Sequence, residues 1–197
     1  MKENKLIIAS SNKGKISEFQ KILPGFECIP QSVFNISDVE ETGKDFEENA
    51  ILKAKNAFTK TNISSLGDDS GLIVPAIDNE PGLYSARYAG VNATDSDNRN
   101  KLISKLKDKK LESTYAYFFC CIVAVGIDSS DEIIVCGGKV EGKVRTIERG
   151  EKGFGYDPMF YPKGYSESFA ELSSLEKNKI SHRGQALKKL MNKLNKT

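Results

Sequence analysis

Leu6-Ile7-Ile8-Ala9-Ser10-Ser11-Asn12-Lys13-Gly14-Lys15 sets the architecture of the chain. The first four residues are a short, continuous aliphatic run, the pattern of a buried strand. A polar turn over residues 10–15 follows, and then Ile16, Phe19 and Leu23 recur at i, i+3 and i+7, the apolar stripe of a helix. Strand, glycine-containing turn and helix together open an α/β unit.

Working outward, a second helix is predicted from about residue 45 to 59, after Thr42-Gly43, with Phe46, Ala50, Ala54 and Ala57 among its residues. A strand through Leu66 runs into Gly67-Asp68-Asp69-Ser70-Gly71, and the chain is extended again at residues 72–74. Thr94 or Asp95 caps a third helix whose stripe includes Leu102, Ile103 and Leu106. Residues 115–127 and 132–140 read as long strands joined by a hairpin turn, Asp128-Ser129-Ser130-Asp131. The first is apolar on both faces and therefore central. Ser173-x-x-Glu176 has the form of a capping box. Leu187, Leu190, Met191 and Leu194 mark a final helix. The expected fold is α/β, a mixed central sheet with flanking helices in one domain over residues 1–197.

Composition narrows the function. The net charge is only +2, from 29 basic and 27 acidic residues, with no basic stripe, which disfavours a nucleic-acid polymer as partner. The four cysteines, Cys28, Cys120, Cys121 and Cys136, form no C-x-x-C pair. Cys120 and Cys121 are adjacent in an apolar strand, so they should point to opposite faces as buried reduced thiols. No signal-peptide pattern and no apolar run of membrane-spanning length are present, so the expected location is the cytoplasm, with no membrane partner.

Several constellations carry chemistry. Asn12, Gly14 and Lys15 lie between a strand and a helix, where backbone N–H groups and the helix dipole favour an anion; an ordinary βα connection fits the same residues. The spacing is not that of a Walker A loop. Glu40-Glu41 and Asp68-Asp69 are acidic pairs beside glycines. Brought together, they would supply oxygen ligands for a Mg²⁺ shared with substrate phosphates, although Glu40-Glu41 also reads as a solvated loop. Gly153-Phe154-Gly155-Tyr156-Asp157-Pro158 joins glycines to two aromatic rings and a carboxylate. Ser181-His182-Arg183-Gly184 places the single histidine beside an arginine at a helix start, with Lys177 just before it. Stacking faces plus donors suit a heteroaromatic ligand such as a nucleobase. The segment Pro81-Gly82-Leu83-Tyr84-Ser85-Ala86-Arg87-Tyr88 suits a cleft lining or a subunit contact, and reads also as a packed surface loop.

Taken together, these segments resemble the inosine triphosphate pyrophosphatase family (Ham1-like, dITP/XTP pyrophosphatases), in the family's order over nearly the whole chain. The resemblance implies an elongated, two-lobed α/β fold with a cleft, usually a homodimer. It also implies Mg²⁺-dependent hydrolysis of ITP, dITP and XTP to the monophosphate and pyrophosphate. By residue, it implies that Ser10, Ser11, Asn12, Lys13, Gly14 and Lys15 hold phosphates, with Lys53 an extra phosphate contact. Asp69 binds metal and accepts a proton, Glu40 or Glu41 completes the metal site, and Ser70 touches substrate. Phe154, Gly155, Tyr156, Asp157, Lys177, His182 and Arg183 surround base and sugar. His182 and Arg183 are expected to donate to O6 and N7, which would leave adenine presenting a donor to donors. The family's first motif begins Thr-Gly-Asn; Ser11 here replaces the glycine and gives up its access to positive φ.

Overall fold

The computed structural model describes residues 4–127 and 132–194. The expected hairpin turn at residues 128–131 lies outside them. Eleven α-helices and β-strands follow in order among the described residues: β1 (Lys5–Ile8), α1 (Lys13–Ile22), β2 (Glu27–Pro30), α2 (Phe46–Thr61), β3 (Ser65–Ile73), α3 (Asp95–Asp108), β4 (Ser113–Val125), β5 (Ile133–Arg145), β6 (Phe160–Pro162), α4 (Ser174–Ile180) and α5 (His182–Leu194). The six strands form one sheet in the order β2-β1-β3-β4-β5-β6. β1 runs parallel to β2 and β3, with Ile7 opposite Ser65, while β5 and β6 are antiparallel. The sheet is mixed, as expected.

Local signals explain the helices. Asn12 caps α1, its side chain accepting from the Lys15 N–H at 3.0 Å. Asp45 caps α2 by accepting from the Glu48 N–H. Thr94, rather than Asp95, caps α3 in a reciprocal box with Asp97, and Ser173 does the same with Glu176 for α4.

One strand differs from the sequence reading. Residues 65–73 are a single continuous strand and not two extended pieces around an acidic turn. Gly67, Asp68, Asp69 and Gly71 have poor strand propensity, but β3 is central, hydrogen-bonded to β1 and β4, and pairing on both sides overrides local preference.

The chain divides into two compact units. The first holds residues 1–69, 120–138 and 183–197; the second holds residues 70–119 and 139–182. In the first unit, α1 and α5 cover one sheet face: Leu6, Ile8, Phe19, Leu66, Cys120, Ile122, Leu187 and Leu190 are buried together. A smaller cluster, Ile7, Ala9, Ile36 and Ala57, buries the opposite face against α2. That alternation is the strand period of two at work. All four cysteines are free and buried, and only Cys120 of the adjacent pair joins the α1–α5 side. In the second unit, Leu72, Leu102, Leu106, Phe118, Val144, Tyr156, Met159, Phe160 and Phe169 share one core. Among the described residues, no helix is long and apolar enough to cross a membrane.

Candidate active site

The first unit gathers charge around two neighbouring residues of β3. Because successive strand side chains point to opposite faces, Asp68 is directed to the α1–α5 side and Asp69 to the α2 side. On its side, Asp68 Oδ2 accepts from Lys15 Nζ at 2.9 Å and from Arg183 Nη2 at 3.0 Å. Arg183 Nη1 also donates to Glu18. On the other side, Asn49 Nδ2 donates to Asp69 Oδ2 at 3.0 Å. Lys53 Nζ lies 3.5 Å from Asp69 Oδ1, 2.5 Å from Glu41 Oε1 and 3.1 Å from the Asp68 carbonyl oxygen.

The close fit of α2 on β3 puts Lys53 there. A Cβ on Gly67 would stand 2.4 Å from the Ala50 carbonyl oxygen and 2.6 Å from the Ala54 nitrogen. Only glycine lets the helix backbone come that near, and Ala50 and Ala54, both fully buried, keep the helix face small. Lys53 sits between them in sequence. Asn49, missed by the sequence reading of individual sites, ties the acidic loop to the same point: its Oδ1 accepts from the Gly43 N–H at 2.8 Å. Glu41 therefore reaches the Lys53–Asp69 group, whereas Glu40 is exposed.

The two aspartates have opposite electrostatics. Burial pushes the Asp68 carboxyl up, but Lys15, Arg183 and Lys53 outweigh it and hold the group well below the usual carboxylate range. For Asp69 burial is also the largest influence; Lys53, Lys15 and the Asn49 bond offset it only partly, and Glu41 adds to it, so its pKa is raised. Lys53 is held protonated: burial opposes its charge, but Asp69, Asp68 and Glu41 prevail. Neighbouring carboxylates whose environments push their pKa values apart mark a division between a fixed anion and a base. Burial disfavours the thiolates, raising Cys121 to about 12 and Cys28 to about 11.

The N-terminal turn belongs to the same unit. Ser10 Oγ accepts from the Asn12 N–H at 3.1 Å, and Ser11 Oγ donates to Asp38. Ser11 is not among the residues with positive φ, so the turn does not need the glycine that Ser11 replaces. Lys13 is exposed, and Gly14 and Lys15 are half-buried in the first turn of α1, where helix N–H groups face outward.

The second unit holds the aromatic turn. Asp157, 3% exposed, accepts from Lys177 Nζ at 2.6 Å and from the Phe154 N–H at 2.8 Å. The Lys177 ammonium lies 4.8 Å from the centre of the Phe154 ring. Gly153 has φ of 79°, and a Cβ there would meet Asp157 Oδ2 at 2.1 Å, so the turn closes on the carboxylate only with glycine. Arg99 Nη1 donates to the Gly155 carbonyl at 2.9 Å, and Asp95 accepts from the Gly155 N–H. Tyr156 is placed in the core, its hydroxyl donating to the Ser85 carbonyl at 2.9 Å. The His182 ring is buried and stacked on Phe118, 4.8 Å between centres and 11° between planes. Ser70 is half-buried on β3, directly after Asp69.

The structure thus brings Lys15, Lys53, Glu41, Asp69 and Arg183 together in one unit and Phe154, Gly155, Asp157 and Lys177 together in the other. Asn49, Glu18, Arg99 and Phe118 were not singled out from sequence. Asn49 lies in the predicted helix just before Ala50, its one early signal, whereas Glu18 reads as an ordinary helix charge.

An α/β protein with half-buried lysines around the buried carboxylates of a central strand in one unit, and a buried lysine held beside a half-buried aromatic ring in the other, is of the class that handles small anionic ligands. More particularly, this chain belongs to the Ham1 family, whose profile matches residues 6–193. It is 47% identical over 190 residues to a dITP/XTP pyrophosphatase of Legionella pneumophila (strain Lens), covering 96% of this chain and 97% of the relative. Among solved structures, a HAM1 protein from Coxiella burnetii is similar at a TM-score of 0.86 with 41% identity, covering 98% of this chain and 99% of that one. The Staphylococcus aureus Ham1 protein gives a TM-score of 0.83 with 43% identity, over 97% and 98% of the two chains.

Proposed function

We propose that this protein is a nucleoside triphosphate pyrophosphatase that hydrolyses non-canonical purine nucleotides (ITP, dITP, XTP) to the monophosphate and pyrophosphate, with Mg²⁺ as cofactor. The activity for which the relatives are named supports the class. The observation that carries the reading is the split pair on β3, with Asp68 locked as an anion among cations and Asp69 raised towards basicity beside Lys53 and Glu41.

Glu41 and Asp69 already converge on a single cationic centre, the Lys53 ammonium. Two carboxylates with room left for water and phosphate oxygens fit the ligand set Mg²⁺ favours, so these two residues would hold it. When bound, Mg²⁺ supplies Lewis acidity to the phosphoryl oxygens. Lys15 and Lys53 neutralise the triphosphate and the charge that builds on the departing pyrophosphate. The first turn of α1 adds backbone donors for the same oxygens. Asp69 takes the proton of the attacking water, a role its raised pKa suits. Asn49 orients that carboxylate through its 3.0 Å bond.

In the second unit, Phe154 offers a ring face and Lys177 a donor held in place by Asp157, a combination suited to a purine with an acceptor at position 6. His182, stacked on Phe118, supports this side. The protein is proposed to act in the cytoplasm as a homodimer, which light scattering on the purified chain tests. Pyrophosphate release from a panel of ITP, dITP, XTP, ATP and GTP, with and without Mg²⁺, tests the activity. Preferential release from the 6-oxo non-canonical members in the presence of Mg²⁺ is expected, and equal or absent release across the panel overturns the proposal.

A further inference from the structure

We infer that Asp95 and Arg99, at the start of α3, are positioning residues for the base end of the site: they set the Phe154 ring by gripping Gly155. Asp95 Oδ2 accepts from the Gly155 N–H at 2.6 Å, and Arg99 Nη1 donates to the Gly155 carbonyl at 2.9 Å. One glycine is thus held at both of its peptide groups by residues four apart on one helix face. Arg99 is fixed in turn by Glu148, whose carboxylate lies 3.0 Å from its Nε. The capping of α3 falls to Thr94 and Asp97, which leaves the Asp95 carboxylate to the turn.

The consequence falls on Phe154. Its own N–H donates to Asp157 Oδ2 at 2.8 Å, and the peptide that follows it carries the Gly155 N–H held by Asp95. Both peptide planes flanking Phe154 are therefore tied, one from within the turn and one from α3. Side-chain rotamers depend on the backbone torsions beneath them, so fixing those torsions fixes where the ring can stand. It stands with its centre 4.8 Å from the Lys177 ammonium. The second tie is needed because the turn is built on glycine. Gly153 and Gly155 have positive φ, 79° and 61°, and glycine leaves such a conformation more freely than any other residue. A Cβ at Gly155 would meet nothing within 4 Å, so the space beside it is open and its bonds to Asp95 and Arg99 are what hold it.

This inference rests on the reading of Phe154 as a stacking face for a purine, and the experiment separates the two. Asp95→Ala, Arg99→Ala, Phe154→Ala and the double variants that join each of the first two to Phe154→Ala are compared with wild type. KM and kcat are measured on ITP, and calorimetry gives the affinity for inosine monophosphate and for inorganic tripolyphosphate. Asp95→Ala should raise KM for ITP about two- to twelvefold, the worth of one aromatic stack, and more than it lowers kcat. Inosine monophosphate should bind more weakly by a similar factor, while tripolyphosphate, which has no ring, should bind as it does to wild type. Asp95→Asn should recover most of the loss, because its amide oxygen still accepts from the Gly155 N–H. In the Phe154→Ala background Asp95→Ala should raise KM no further, since its effect runs through that ring. Additive losses in the double variant, or an equal weakening of tripolyphosphate, overturn the proposal, as does an unaltered KM in both Asp95→Ala and Arg99→Ala. If Asp95→Ala fails to fold, Arg99→Ala and its double variant decide by the same criteria. If Phe154→Ala binds inosine monophosphate as tightly as wild type, the stacking reading falls and the positioning falls with it. A weakened Phe154→Ala beside wild-type behaviour of Asp95→Ala and Arg99→Ala refutes the positioning alone.

Discussion

Gly67→Ala is the substitution whose effect the structure lets one work out most fully. The new methyl group would stand 2.4 Å from the Ala50 carbonyl oxygen and 2.6 Å from the Ala54 nitrogen, both backbone atoms that no side-chain rotation can move aside. Restoring a contact of about 3.5 Å requires α2 to retreat from β3 by roughly 1 Å. Overpacking of this kind costs about 1–3 kcal/mol. For a protein of this size that is a fall in Tm of about 2–12 °C. Lys53 lies between the two displaced residues, so its ammonium moves with them, away from Asp69 and Glu41. A displacement near 1 Å at a charge-positioning group can lower kcat/KM about a hundredfold. Thermal melts followed by circular dichroism, paired with steady-state kinetics on ITP, read both effects. Gly25→Ala is the control, since a Cβ there meets nothing within 4 Å. A Gly67→Ala protein that melts early but keeps wild-type kcat/KM would refute the argument that helix spacing sets Lys53.

Other outcomes follow from the same geometry. Asp69→Asn should lower kcat by about 10²–10⁴, the usual worth of a general base, without lowering Tm, because the raised pKa makes the wild-type charge a burden on the fold. Kinetics and a melt on one preparation check this, and near-normal turnover would remove Asp69 from the mechanism. Asp68→Asn should destabilise by about 3–5 kcal/mol at neutral pH, since it breaks a buried pairing. The folded-state pKa of Asp68 is depressed, so its contribution is fully present above the unfolded value of about 3.9 and is lost as pH falls below it. Urea denaturation should therefore show the gap between wild type and Asp68→Asn shrinking as pH drops below about 4, and a gap constant with pH contradicts this. Asp157→Asn weakens the hold on Lys177 and on the Phe154 N–H, and should raise KM for ITP more than it lowers kcat; an unaltered KM would remove the aromatic turn from substrate binding.

The opening α/β unit was legible because its signals are local: an aliphatic run, a polar glycine-containing turn and an apolar stripe. The capping box at Ser173 was readable for the same reason, whereas the cap of α3 stayed open between Thr94 and Asp95 until the reciprocal bonds with Asp97 identified Thr94. β3 was not, since Gly67, Asp68, Asp69 and Gly71 carry turn-like propensities, and only pairing with β1 and β4 makes them strand. Asp69, Lys15 and Lys53 were identified through their residue types and motif context. The partners that give those residues their properties were not. Glu18 meets Arg183 across 165 residues, Asn49 meets Asp69 across 20, and Asp95 meets the Gly155 N–H across 60. No periodicity in the sequence encodes such meetings. The sequence likewise left open which of Glu40 and Glu41 faces Asp69; in the structure Glu41 is the one paired with Lys53. Tyr156 looked like a stacking face because aromatic type says nothing about burial; its hydroxyl is tied to the Ser85 carbonyl in the core.

The central claim is that Asp69 and the cations around it direct water to the α-phosphate end of a triphosphate. Product analysis of a single turnover of ITP in the presence of Mg²⁺, by ³¹P NMR or mass spectrometry, tests this most directly. Inosine monophosphate and inorganic pyrophosphate are expected as the first products. Inosine diphosphate with orthophosphate would contradict the account.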